Sequence, residues 1–253
     1  MHSKRIRVGN AVFLVESEIP LAWGSNLALF QTDEKADFLL YVRDAFPGET
    51  TPDADGYAKI QRDGNRFLIV LAAGKYVDPS LWRVFTLLPF SQLMLEKGTL
   101  VMHASYICHR GEGILFSGPS GIGKSTQAGL WTKHRGSREI NGDRVLITPG
   151  DEGTIVASHY LSGTSGVCSN VTSPLKAIVM LEQAGENAIL PATALQILRI
   201  VMGQLDYAVS DRDQLIKVSG LVEKMLKNTI VCRYGCKIDE DAVDSLEKYL
   251  YKK

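Results

Sequence analysis

Cysteine is scarce. The chain has four in 253 residues (Cys108, Cys168, Cys232 and Cys236), too few and too scattered for the disulfide framework of a small secreted scaffold. Cys232 and Cys236 lie close together, but no second Cys pair and no downstream His stands at metal-ligand spacing, which argues against zinc. Charge of one sign is missing as well. Lys plus Arg and Asp plus Glu each total 28, so the formal net charge is zero. That balance removes the basic excess of a nucleic-acid binder and the charge block of a disordered tail. Long hydrophobic runs are absent too. The longest purely apolar run in the first third, Phe67-Leu-Ile-Val-Leu-Ala-Ala73, falls far short of the roughly 20 residues that cross a bilayer. The opening residues, Met1-His-Ser-Lys-Arg-Ile-Arg-Val, carry no apolar leader, so a cytoplasmic location is expected, without membrane or nucleic-acid partners.

What is present is a core and a motif. Hydrophobic residues make up 45% of the chain, ordinary for a folded domain, and the length suits one large domain or a small one beside a medium one. The motif is Gly118-Pro119-Ser120-Gly121-Ile122-Gly123-Lys124-Ser125-Thr126, with the spacing G-x-x-x-x-G-K-[ST] of a phosphate-binding loop. A short apolar run, Gly113 to Ser117, precedes it as a buried strand would, and Gln127 to Lys133 follows at helical spacing. Glycines let backbone N–H groups approach an anion, and the helix N-terminus adds orphan donors and the positive end of its dipole. In such a loop Lys124 reaches the β- and γ-phosphates and Ser125 ligates Mg²⁺. The expected ligand is a nucleoside triphosphate.

Along the chain, residues 1 to about 75 read as short strands: an early pairing over Ile6–Val15, then Phe38–Val42 and Phe67–Leu71. A turn-rich stretch, 46–56, reads as an exposed loop. Asp78-Pro79 reads as a helix start, with Leu81, Val84, Phe85 and Leu88 at helical spacing. Pro89 interrupts that stripe, and Phe90, Leu93 and Met94 resume it. Leu100 to Ile107 reads as a strand and Cys108–Gly113 as the hairpin turn into the loop strand. Because the loop strand then has an antiparallel neighbour, a mixed sheet is expected. After the loop helix, Asp143 stands just before an apolar strand, 19 residues beyond Lys124, where a carboxylate for the metal is needed. The small-residue stretch 158–166 either positions an acceptor or phosphate or turns the chain. Further on, Ala177–Leu181 and Thr229–Tyr234 read as strands, and Thr193–Val209, Asp211–Asn228 and Asp239–Leu250 as helices.

From Leu100 onward this order resembles the HPr kinase/phosphorylase family, and more closely the shorter HPr-kinase-like proteins among peptide-modifying kinases. The residues that carry the resemblance are His103-Ala-Ser, Leu115 through Thr126, Asn141-Gly-Asp-Arg-Val145, Ser162-Gly-Thr-Ser-Gly166 and Pro174 through Glu182. It implies an α/β domain over residues 98–253, with a mixed sheet and phosphate loop like the nucleotide domain of phosphoenolpyruvate carboxykinase. Residues 1–97 would form a small, mainly β accessory region with a kinked helix pair. It also implies ATP, Mg²⁺ and transfer of a phosphoryl group to a serine-type hydroxyl of a peptide, protein or small molecule. His103 would lie near the acidic motif and the γ-phosphate, and Asp143 would match the metal-associated aspartate.

The chain departs from the family at one place. Two adjacent aspartates are usual there, the first taken as the base, and this chain has Gly142 with Asn141 before it. Neither accepts a proton as a carboxylate does. His103, with an unperturbed pKa near 6.5, is the expected substitute. Two other readings remain open: a nucleotide-binding module whose transfer chemistry has weakened, and a plain ATPase. Oligomeric state has no signal in the sequence.

Overall fold

The computed structural model describes residues 1–49, 58–72, 79–207 and 211–252. By its internal contacts the chain divides into two compact units, Met1–Phe90 and Ser91–Lys253.

The first unit is built on a five-stranded sheet: β1 (His2–Val8), β2 (Ala11–Ser17), β3 (Phe38–Asp44), β4 (Ala58–Asp63) and β5 (Arg66–Leu71), in spatial order β1-β2-β3-β5-β4. Its early pairing is an antiparallel hairpin with Ile6 opposite Phe13, and β3 lies parallel to both β2 and β5. Alternate residues of these strands turn inward, so Phe13, Phe38 and Phe67 share one buried aromatic cluster with Phe85 and Phe90. Phe85 comes from α1 (Leu81–Leu87), capped by the Ser80 side chain, which accepts from the Arg83 N–H at 3.4 Å. The Asp78 cap lies outside the described residues. Two elements of this unit went unread in the sequence. A 3₁₀ helix occupies Ser25–Phe30, and β4 is a polar edge strand whose last three residues are exposed, with too weak an alternation to register.

After α2 (Phe90–Glu96), the second unit is organised by an eight-stranded mixed sheet. Its strands are β6 (Leu100–His109), β7 (Glu112–Ser117), β8 (Arg138–Asn141), β9 (Arg144–Pro149), β10 (Thr154–Ser158), β11 (Thr172–Gln183), β12 (Ala188–Leu190) and β13 (Ile230–Cys236). The order is β10-β9-β6-β7-β11-β13-β12, with β8 also on β6. β6 and β7 are antiparallel, whereas β7, β11 and β13 run parallel, so the sheet is mixed as expected. β10 also pairs with the start of β11, so β6, β9, β10, β11 and β7 close on themselves. The helices are α3 (Lys124–Arg135), α4 (Ala194–Met202), α5 (Arg212–Asn228) and α6 (Glu240–Leu250).

Period-two alternation sorts the central strands between two cores. Tyr106, Leu115, Ile178 and Met180 face one, which also takes Val201 of α4 and Val218, Val222 and Met225 of α5. Ile107, Phe116, Ala177 and Val179 face the other, with Ala128 and Trp131 of α3 and Val243 and Leu246 of α6. The unit is thus three-layered, helices over both faces of a sheet.

β8, β10 and β12 were not read as strands in the sequence, and the boundaries that differ include the β6–β7 turn and the end of α4. The β6–β7 turn is only Arg110-Gly111, both at positive φ (53° and 81°), so the strands extend to His109 and from Glu112. A two-residue hairpin of that twist needs both central residues left-handed, and a non-glycine first residue hid it. The helix expected over 193–209 ends at Met202. The chain turns at Gly203, and Leu205 forms a β-bridge with Met102 on the sheet.

Candidate functional site

β7 ends at Ser117, whose hydroxyl donates to the His103 carbonyl at 2.5 Å and ties the mouth of the loop to β6. The chain then turns through Gly118, Gly121 and Gly123 at φ 142°, 78° and 112°, conformations open to glycine at little cost. Gly123 is the N-cap of α3; no side chain caps that end, and no acidic residue stands in its first turn. The first helical bond runs from the Gln127 N–H to the Gly123 carbonyl, 2.9 Å. The N–H groups of Lys124, Ser125 and Thr126 precede it and have no intrahelical acceptor. With the helix dipole, that end favours an anion. The Lys124 ammonium folds back on the loop, donating to the carbonyls of Gly118 (3.0 Å) and Pro119 (3.2 Å). Partial burial pulls its pKa below the usual lysine range, against the opposing charge of Asp143.

Asp143 is presented by a break in a strand. β8 and β9 both run antiparallel to β6, with Asn141 opposite Tyr106 and Arg144 opposite His103. Between them the backbone bends at Gly142-Asp143, while the Ala104 N–H still donates to the Asp143 carbonyl at 2.9 Å. The bend is held by the buried Asn141 side chain. Its Oδ1 accepts from the N–H groups of Asp143 (2.9 Å) and Arg144 (3.0 Å). Its Nδ2 donates to the carbonyls of His159 (2.7 Å) and Leu161 (3.0 Å) and to the Ser158 hydroxyl (3.2 Å). Asn141, one residue before the usual base position, is therefore a structural amide whose side-chain oxygen and nitrogen are both engaged.

A third segment closes over this bend. Residues Gly163–Ser165 form one 3₁₀ turn. Two glycines let that turn interlock with the Gly142-Asp143 bend. A Cβ on Gly142 would stand 1.9 Å from Ser165 Oγ and 2.5 Å from Ser165 Cβ. A Cβ on Gly163, itself at φ 57°, would stand 2.9 Å from both Cβ and Cγ of Asp143 and 3.1 Å from its Oδ1. The Ser165 hydroxyl donates to the Ser162 carbonyl at 2.8 Å and accepts from the Val167 N–H at 3.2 Å.

Loop, bend and turn enclose one cavity of about 300 Å³. Ser120, Gly121, Gly123, Lys124, Ser125 and Thr126 line it from the loop and helix, with Gly142, Asp143, Thr164 and Ser165 opposite. Of the residues singled out in the sequence, the structure thus brings Lys124, Ser125 and Asp143 to one space. Gly118, Pro119 and Ile122 are parts of the loop that do not line it; Ile122 packs against the core of α3 and α6 instead. The Ser125 hydroxyl and the Asp143 carboxylate are oxygen donors of the kind a hard divalent cation takes, leaving further positions to ligand oxygens and water. No cluster of three His, Cys, Asp or Glu able to hold a metal by itself occurs among the described residues.

His103 lies beside this cavity rather than in its wall, one residue from the Ala104–Asp143 bond and opposite Arg144. Its backbone N–H donates to the Gln204 carbonyl at 2.9 Å. Burial first, then the Arg144 charge, lowers its imidazole pKa against the pull of Asp143 and Asp206, so it is neutral near pH 7. The sequence reading missed Arg144 and Asp206. The Arg144 guanidinium bridges Asp206 (2.7 Å) and Asp143 (3.6 Å), joining the segment after α4 to the acidic bend. His159 is buried, and its Nδ1 accepts from the Leu161 N–H at 2.9 Å; desolvation drives its pKa down to about 3. Thr164 and Ser165 were read as members of a small-residue stretch and of the Ser162–Gly166 segment that carries the resemblance, with no role of their own. The glycines flanking them were the available signal.

No helix among the described residues is long and apolar enough to cross a membrane. No protein-family model and no curated protein matches the chain. Among solved structures, the HPr(Ser) kinase/phosphatase from Coxiella burnetii is similar over 50% of this chain and 97% of that one, with 15% identity and a TM-score of 0.28.

Proposed function

We propose that this chain is an ATP- and magnesium-dependent phosphotransferase of the HPr-kinase type, acting on a serine-type hydroxyl of a peptide, protein or small molecule. The observation that carries the reading is one cavity faced by an uncapped helix N-terminus, Lys124 and Ser125 on one side and Asp143 on the other. Residues 118–126 are read as a phosphate-binding loop, Lys124 and the loop amides holding the β- and γ-phosphates. Ser125 and Asp143 would hold magnesium, which supplies charge neutralisation on the phosphate oxygens when bound. His103, neutral and one residue from the Asp143 contact, serves as proton acceptor for the attacking hydroxyl, directly or through one water. The order of His103-Ala-Ser, the loop and Asn141-Gly-Asp supports the same family reading and a fold of the phosphoenolpyruvate carboxykinase type. In this reading residues 98–253 carry the chemistry in the cytoplasm and residues 1–97 are accessory.

Transfer of label from γ-labelled ATP to a panel of seryl peptides and small hydroxyl compounds tests the proposal. The expected result is labelled acceptor that requires magnesium and vanishes in Lys124→Ala. Binding of ATP with no labelled product from any acceptor would favour the second reading, a nucleotide-binding regulatory module. Gly142 favours that reading, because it leaves no carboxylate at the usual base position. Phosphate release without any acceptor would indicate an ATPase.

A further inference from the structure

We propose that Ser165 is itself a phosphoryl acceptor, so that the chain phosphorylates its own cavity wall; the inference rests on the kinase reading above. The geometry that carries it is the interlock of two turns. Gly142 and Gly163 are the positions where each turn has no side chain, and each would otherwise collide with the other turn. The close fit brings Ser165 and Asp143 to the same cavity as Lys124 and Ser125. Ser165 is exposed within that space, and its hydroxyl is held by only one donated and one accepted bond within its own turn. A side chain at position 142 would occupy the place Ser165 now takes. The gap in the acidic motif is therefore filled by an alcohol.

In the transfer, Ser165 Oγ forms a bond to the γ-phosphorus of ATP as the bond from that phosphorus to the β,γ-bridging oxygen breaks. ADP leaves with the electron pair, and the hydroxyl proton is released to water. The product carries close to two negative charges beside Asp143, in the space the γ-phosphate used. Modification therefore limits itself: phosphorylated chain loses nucleotide affinity, by about tenfold or more, through like-charge repulsion.

The test uses the full chain, first treated with a phosphatase and then incubated with ATP and magnesium, followed by intact mass and peptide fragmentation. Nucleotide uptake is measured by calorimetry on the same preparations. The expected result is a gain of one HPO₃ mapped to Ser165, at a rate independent of protein concentration, absent in Ser165→Ala while that variant still takes up nucleotide. Thermal unfolding of Ser165→Ala verifies that it is folded. Uptake without any mass gain, or a mass gain that persists in Ser165→Ala, overturns the Ser165 assignment alone. Absence of nucleotide uptake by the parent chain overturns the kinase reading and this proposal together.

Discussion

Gly142→Ala is the substitution that probes the interlocked turns most sharply. The added Cβ would stand 1.9 Å from Ser165 Oγ and 2.5 Å from Ser165 Cβ. Comfortable contact between carbon atoms is about 3.5–4.0 Å, so the conflict amounts to roughly 1 Å or more. Rotating the Ser165 hydroxyl away relieves only the Oγ contact. The Cβ overlap remains, and the Gly163–Ser165 turn must retreat from the bend. Forcing a methyl into a closed contact of this kind costs typically about 1–3 kcal/mol. Removing the obstacle with Ser165→Gly should recover most of that cost, so the double-mutant cycle should show a coupling of about 1 kcal/mol or more. The readout is urea unfolding of the four proteins in a background with Trp23 and Trp82 replaced by phenylalanine. Trp131 is then the only tryptophan and reports the second unit, where it lies buried. The same logic covers Gly142→Asp: alone it should slow transfer by displacing the turn, and beside Ser165→Gly it should recover. Equal stability of parent and Gly142→Ala, with no coupling to position 165, would refute the interlock.

Asn141→Asp keeps the shape but sets a carboxylate oxygen against the carbonyls of His159 and Leu161 that now accept from Nδ2. Unfolding free energy should fall by about 3–5 kcal/mol near neutral pH, by equilibrium denaturation, since a buried carboxylate oxygen set against two carbonyls is costly. His159 binds its proton less readily folded, at about 3, than unfolded, near 6.5. The unfolded state therefore takes up the proton first, and stability is present above about 6.5 and lost as pH falls toward 3, by about 1.4 kcal/mol per pH unit for this group. His159→Asn should flatten that acid slope by about one proton, read from unfolding free energies at several pH values. His103→Asn should lower turnover by about two to four powers of ten in steady-state assays, with nucleotide affinity unchanged, if the imidazole accepts the acceptor's proton. Asp143→Asn should weaken the dependence of rate on magnesium; an unaltered metal titration would remove Asp143 from that role.

Much of the second unit could be read from the chain because its signals are local. The glycines at 118, 121 and 123 all take positive φ, so their spacing was a backbone requirement visible in one dimension. The strand before the loop, its antiparallel partner and the helices α5 and α6 followed from runs of apolar residues; Asp211 caps α5 as expected, and Asp239, read as the start of the last helix, caps α6. The remainder depends on chain segments distant in sequence. Nothing local to Gly142 announces that Ser165 fills the space beside it, and nothing local to Arg144 announces Asp206. Helical periodicity overran Met202 because Leu205 remains apolar, yet that residue serves the sheet through its bridge to Met102. In the sequence Asn141 was only the residue before the missing carboxylate at Gly142, whereas its five hydrogen-bond contacts to Asp143, Arg144, Ser158, His159 and Leu161 make it a structural part of the site.

The central claim is that the space between Lys124 and Asp143 takes the polyphosphate of a nucleotide. Calorimetric titration of ATP into the full chain with magnesium addresses it directly. Saturable uptake near one equivalent is predicted, weakened by about tenfold or more in Lys124→Ala, whose lost cation would face the β- and γ-phosphates. Absence of uptake by folded parent protein, or equal affinity in Lys124→Ala, would contradict it.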